Sequence, residues 1–570
     1  MSEFDLVIRG GTIVDGSGGA PFAGDVAIKG DRIVAVGTVD GRGAEEIDAS
    51  GRIVTPGFVD IHTHYDGQAI WSERLSPSSS HGVTTVVMGN CGVGFAPCRA
   101  EDHGLLIKVM EGVEDIPGVV MAEGLPWDWE TFPEYLDALN ARQRDIDVAA
   151  YLPHSPLRVY VMGERGANRE AATADDLARM RELSRQAMEA GAIGVASSRL
   201  FIHRTADGAQ IPSYDAPAAE LKAIAAGMTD AGTGTLQLVL DAPFHSWADE
   251  LDHLVDVVES CGRPATFTLA ATNSGPPTWQ DAIDRMEAAN ARGASITAQV
   301  LPRPIGLVTG LELSINPFVL CPSFRTIAGL PLADKVAAMQ TPEMRAALLS
   351  EEPDPGHPLA MIGRDWNWMF PMRDPPDYAP PLERSVAAQA AMQHRTPGCV
   401  AYDMLLENDG RGMLYVTLGN YHEGRLDVVG EFLKHPDCVV GLGDGGAHYG
   451  AICDASHPTF LLTHWVRDRR GEKIGVADAV RMLSRKPAMA VGLKDRGLLQ
   501  AGYKADVNVI DAGGLRLHAP YIAHDLPAGG RRLDQRATGY DATIVSGSVI
   551  RRFDEATGAL PGRLVRGAQA

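Results

Sequence analysis

His62 and His64 have the clearest capacity for chemistry, because of the run that leads into them, Pro56-Gly57-Phe58-Val59-Asp60-Ile61. Phe58, Val59 and Ile61 read as a short buried β-strand, and in an extended chain residues i and i+2 point to the same side. Two imidazoles therefore project together from a strand tip, which lets neighbouring positions hold one metal ion. A histidine pair at a loop start can equally be solvated or hydrogen-bonded, so its meaning depends on the elements around it. In α/β barrels chemistry is placed at the C-terminal strand ends, and the rest of the chain must supply such a frame.

The patterns are those of such a frame. Residues 1–55 alternate short apolar runs with Gly and Asp turns and read as strands. This small β domain is incomplete alone, and strand-like runs at 505–511 and 543–550 are its expected other half. Between them, strand candidates at 84–88, 148–152, 193–197, 235–240, 266–269, 295–300 and 439–443 alternate with helical stretches such as 175–190 and 248–261. With the strand before His62 they make eight, the number a TIM barrel needs. The expected fold is α/β: a (β/α)8 TIM barrel over 56–498 and a small β-sandwich domain from 1–55 plus 499–570. The stretch 322–393, rich in Pro, Trp and Met, breaks the rhythm and reads as an insertion over the barrel mouth.

Bulk properties narrow the partners. The formal net charge of −22 argues against nucleic acid or an anionic membrane, since both need a basic face. The acidic start Met1-Ser2-Glu3-Phe4-Asp5 runs straight into a strand pattern, unlike a leader peptide, and no apolar run approaches a membrane span. Seven scattered cysteines are not a disulfide framework. A cytoplasmic enzyme with a small-molecule substrate is expected, with self-association to a homo-oligomer left open.

The segments 6–16, 31–37 and 54–64, with Gly497-Leu498-Leu499-Gln500-Ala501-Gly502-Tyr503-Lys504-Ala505-Asp506 near the other end, resemble the amidohydrolase superfamily. Gly89-Asn90-Cys91-Gly92 narrows the resemblance to the branch that includes N-acyl-D-amino-acid deacylases. The resemblance implies a metal-dependent hydrolase of an amide-type C–N bond. His62, His64 and Asp444, the last in Gly441-Leu442-Gly443-Asp444-Gly445-Gly446, would hold the metal, and Asp444 would take a proton from the attacking water. Cys91 corresponds to a zinc ligand of that branch, and the insertion to its lid. His448 is a catalytic candidate, either as a partner of the metal-site residues or to polarise the scissile carbonyl. Arg303, Gln237 and Tyr421 are candidate substrate contacts.

The chain also departs from that pattern. The branch places histidines at the ends of the fifth and sixth barrel strands, where this chain has Gln237, Leu238, Ala270 and Ala271. His245 and Asp241 are the nearest substitutes, and Gly194-Val195-Ala196-Ser197-Ser198-Arg199 offers no bridging lysine. Thr459 stands where an arginine would grip a substrate carboxylate, leaving Arg303, Arg467 or Arg469 to replace it. One zinc ion rather than two is therefore expected. The alternatives are a hydrolase of cyclic amides, lactones or esters, and a non-catalytic binding or assembly protein with a degenerate metal site.

Overall fold

The computed structural model describes residues 2–242, 245–276, 278–353 and 363–567. Eight strand positions pair in parallel, in chain order: Phe58–Asp60, Val83–Met88, Asp147–Ala150 continued by Leu152–Pro153, Gly194–Ser198, Thr235–Val239, Ala265–Thr268, Ile296–Val300 and Cys438–Val440. Nearly every residue in them is buried, as expected of parallel strands covered on both faces. A parallel bridge between Thr63 and Gly445 joins the loop after the eighth strand to the end of the first. The strands expected from sequence are present to within a residue or two, except that the eighth stops at Val440. Beyond it, Leu442 and Asp444 take positive φ (63° and 47°) and the chain turns instead of extending.

Helices separate the strands and are bounded by local signals. Ala174–Ala190 starts in a capping box between Thr173 and Asp176 and ends at left-handed Gly191. Trp247–Cys261 starts at Ser246, whose hydroxyl accepts from the Ala248 N–H, and ends at left-handed Gly262. The buried Glu220 of Ala218–Ala231 accepts from Arg158 and meets His154 Nε2 at 2.8 Å, fastening this helix to His154–Met162.

Both chain ends share one nine-stranded sheet. Phe4–Ile13 pairs with Phe22–Lys29, Gly43–Asp48 and Ile53–Pro56, and the last runs antiparallel to Val507–Ile510, which pairs with Tyr540–Val545. Leu6, Ile8, Val26, Ile28, Val54, Val507, Val509 and Ile544 form its core. Gly57 alone separates this sheet from the first parallel strand. A side chain there would meet Thr84 Oγ1 at 2.2 Å, so only glycine makes the crossing.

Between the seventh and eighth strands the chain forms an antiparallel sheet of Ile305–Gly310, Met369–Pro371 and Met413–Gly419. Its helices Leu332–Met339, Pro342–Ser350 and Pro397–Gly410 surround a separate core of Phe318, Met339, Leu348, Tyr402 and Leu405. Residues 354–362 of the expected insertion lie outside the described residues. Among the described residues no helix is long and apolar enough to cross a membrane.

Candidate metal centre

Two backbone bonds assemble the site. The Asp444 N–H donates to the His62 carbonyl at 3.0 Å, and the His64 N–H donates to the Gly445 carbonyl at 2.7 Å. They bring Asp444 between the two rings, with Oδ1 3.6 Å from Nε2 of each. From the end of the second strand, Cys91 Sγ stands 3.5 Å from His62 Nε2 and 3.9 Å from His64 Nε2. Donors bound to one tetrahedral zinc at about 2.0–2.3 Å lie roughly 3.3–3.8 Å apart; the His62, His64 and Cys91 ligand atoms all lie within 4.8 Å of one another, and Asp444 adds an oxygen beside the two rings.

The loops that deliver these groups leave no room for alternatives. A side chain at Gly443 would come within 1.9 Å of Asp60 Oδ2, and one at Gly92 within 2.7 Å of Ser197 Cα. Cys91 itself sits at φ 57°, in a turn held by the Asn90 side-chain amide, which donates to the Thr63 and Val87 carbonyls at 3.1 and 2.9 Å.

Each imidazole has its second nitrogen against an acceptor. His62 Nδ1 is 2.6 Å from Gln299 Oε1, and His64 Nδ1 is 3.2 Å from Glu114 Oε1. With the proton assigned to Nδ1 from these partners, Nε2 keeps its lone pair for a metal. Burial pushes both imidazoles below their ordinary pKa, favouring the neutral form a metal requires. Burial favours a neutral Asp444, but the neighbouring His64, His62 and His448 rings outweigh it when they are protonated and hold the carboxyl below its usual range, and a cation in the same place would do so with the rings neutral. Burial, then the carboxylates of Glu114, Asp444 and Asp66, push the Cys91 thiol well up. A divalent cation would be the largest local charge and would reverse that preference. Two neutral imidazoles, a carboxylate and a thiol suit a borderline-soft ion such as zinc.

The other residues singled out in the sequence divide into two groups. Gln237 and His448 belong to the centre. Gln237 Oε1 accepts from the Cys91 N–H at 3.1 Å and so supports the turn, while its buried Nε2 has no partner. His448 Nε2 lies 3.6 Å from Glu114 Oε2.

Arg303 and Tyr421 are engaged elsewhere, which corrects their expected place among the substrate contacts. The Arg303 guanidinium is buried, pairs with Asp454, donates to Ser456 Oγ at 3.1 Å and lies 4.0 Å over the Tyr378 ring. Tyr421 is buried, with its hydroxyl donating to the Pro380 carbonyl and its ring against Trp368 and Phe370. Thr459 is also interior, bonded to His81 and Tyr540. Arg467 pairs with Asp468 and Arg469 with Asp427. His245 is bonded to Asp241 at 2.7 Å with its side chain 58% exposed, so it does not fold back towards the strand ends.

Sequence reasoning missed Gln299 and Glu114. Gln299 had a readable signal, as a polar residue in the otherwise apolar end of Ile296–Val300, the same signal that marks Gln237 in the fifth strand. Glu114, the last residue of the helix His103–Glu114, had none.

The amidohydrolase family matches residues 45–551. An N-acyl-D-glutamate deacylase of Alcaligenes xylosoxydans xylosoxydans is 27% identical over 99% of this chain and 97% of that enzyme. A D-aminoacylase of the same organism is 37% identical, but over only 35% of this chain and 38% of its own length. Among solved structures, the N-acyl-D-glutamate deacylase of Bordetella bronchiseptica, in complex with zinc and a phosphonate inhibitor, shares the fold with a TM-score of 0.65 at 22% identity, covering 99% of both chains. A D-aminoacylase with a binuclear metal centre has a TM-score of 0.66 over the same extent. The chain belongs to the amidohydrolase family, and its activity is the metal-dependent hydrolysis of an amide-type carbon–nitrogen bond.

Proposed function

We propose that the protein is an N-acyl-amino-acid deacylase that works with one zinc ion held by His62, His64 and Asp444, with Cys91 at the edge of the coordination sphere. The convergence of two imidazole Nε2 atoms, one thiol and one carboxylate oxygen carries this reading. We read the frame as a (β/α)8 barrel over residues 56–498, with a β domain from residues 1–55 and 499–570 and the insertion at the mouth. The described cysteines are all unpaired, which supports a reducing, cytoplasmic setting.

When bound, the metal polarises the substrate carbonyl and brings the pKa of water towards neutrality. The chain's own groups do the rest. Asp444, held as a carboxylate, takes the proton from the attacking water and returns it to the leaving nitrogen. Gln299 keeps the His62 ring in one tautomer, and Gln237 fixes the Cys91 turn. The ends of the fifth and sixth strands offer no imidazole among the described residues, which supports a single ion.

The candidate arginines are all engaged within the fold, which favours substrates whose carboxylate is not gripped by a dedicated guanidinium. A panel of N-acyl-D- and N-acyl-L-amino acids, their carboxamides and cyclic amides, assayed with metal-free and zinc-loaded protein, tests this reading. Zinc-dependent release of free amine supports it. A zinc-loaded protein that hydrolyses only the cyclic amides would contradict it.

A further inference from the structure

We propose that Glu114 is a positioning residue for the metal centre, a single carboxylate that aims the rings of both His64 and His448. The proposal rests on the metal-dependent reading above. Glu114 ends the helix His103–Glu114 and is buried, with Oε1 3.2 Å from His64 Nδ1 and Oε2 3.6 Å from His448 Nε2. It faces His64 from the side of the ring away from Asp444 and Cys91, and so does not compete for the ion.

The geometry carries a further sign of purpose. Close as they are, His64 Nδ1 and the Glu114 oxygens lie off the line of a straight hydrogen bond, and all three atoms are buried without an aligned partner. Such groups cost stability in the isolated chain. A small rotation of the His64 ring, as Nε2 turns onto an ion, would align Nδ1–H on Oε1, and catalytic hydrogen bonds commonly tighten only in the loaded site. The cost is then offset on metal binding, as in carboxylate–histidine–metal arrangements generally.

The backbone supports the same role. The His448 N–H donates to the Glu114 carbonyl, and the neighbouring Asp115 carboxylate accepts from the Gly450 N–H at 3.1 Å and from Ser314 Oγ at 2.9 Å. One helix end thus holds a ligand ring from the first strand, the loop that carries Asp444, and the insertion. In this way helix position contributes to a site that lacks imidazoles at the ends of the fifth and sixth strands among the described residues.

The test uses full-length protein stripped of metal, Zn²⁺ alone as the probe, and a competing chelator to read affinity. Glu114→Ala should weaken zinc binding by roughly 10–100-fold. Glu114→Gln, which keeps the shape and one acceptor, should fall between it and the wild type. Metal-free Glu114→Gln should unfold close to the wild-type temperature, because it exchanges one buried polar group without an aligned partner, which burial pushes towards its neutral acid, for another of the same shape. Wild-type zinc affinity in both variants, with His64→Ala still defective, would overturn this proposal alone. Unchanged affinity with a lowered unfolding temperature would show a purely structural role and also overturn it. A wild-type protein that binds zinc no better than His64→Ala would overturn the metal-dependent reading as well.

Discussion

His62 and His64 illustrate how much two residues and their spacing can specify. The period of two in an extended chain puts both rings on one side, and the structure brings both Nε2 atoms to 3.6 Å from Asp444 Oδ1. Replacing either histidine with alanine should abolish tight zinc binding, measured by metal analysis after dialysis, while the far-UV circular dichroism stays that of the wild type. Asp444→Asn keeps size and hydrogen bonding but removes the base. It should lower kcat by at least about 10²–10⁴-fold with KM changed only a few-fold, and a variant turning over at the wild-type rate would mean another residue is the base. These residues were legible because their partners are set by local geometry or by motifs. Arg303 was not, because its partner Asp454 lies 151 residues away. Sequence shows that a guanidinium exists but not which carboxylate it meets. Glu114 was illegible for the same reason, since only the packing of a helix end decides that it reaches His64.

The parallel strands were readable as near-continuous apolar runs, which is how strands buried on both faces appear, and their helices as capped amphipathic stretches. The turns between them were harder, because their shape is set by crowding from distant elements. Gly443 is such a case. Its replacement by alanine would place Cβ 1.9 Å from Asp60 Oδ2 and displace the loop that presents Asp444. Gly443→Ala should therefore lose zinc affinity and activity together, and a fully active variant would show that the loop can move. The helix pair fastened by Glu220 makes a separate prediction. Burial favours the neutral acid, but hydrogen bonds and charges from His154 and Arg158 outweigh it and lower Glu220 from 4.5 to about 2. A depressed carboxyl adds stability above its unfolded pKa and loses it as pH falls through the folded one. That contribution, about 3 kcal/mol by the size of the shift, should be present at pH 7 and vanish between about pH 4.5 and 2. Denaturant unfolding of wild type and Glu220→Gln across this range checks it, and a pH-independent difference would count against the pair.

At the scale of the whole molecule, the backbones of the first and eighth strand positions are joined at the site, by the Thr63–Gly445 bridge and the two backbone bonds beside it. A metal held by His62, His64 and Asp444 would pin that junction, so zinc should raise the unfolding temperature and a chelator should lower it, as any ligand specific to the folded state does. Sequence could not supply this coupling, because it depends on which strand ends become neighbours when the chain comes round. The most direct test of the account is a zinc titration of metal-free protein, following bound metal and hydrolysis of an N-acyl-amino acid together. Activity should rise from near zero and saturate at one equivalent of zinc per chain. Full turnover without metal, or a rise that continues to two equivalents, would contradict it.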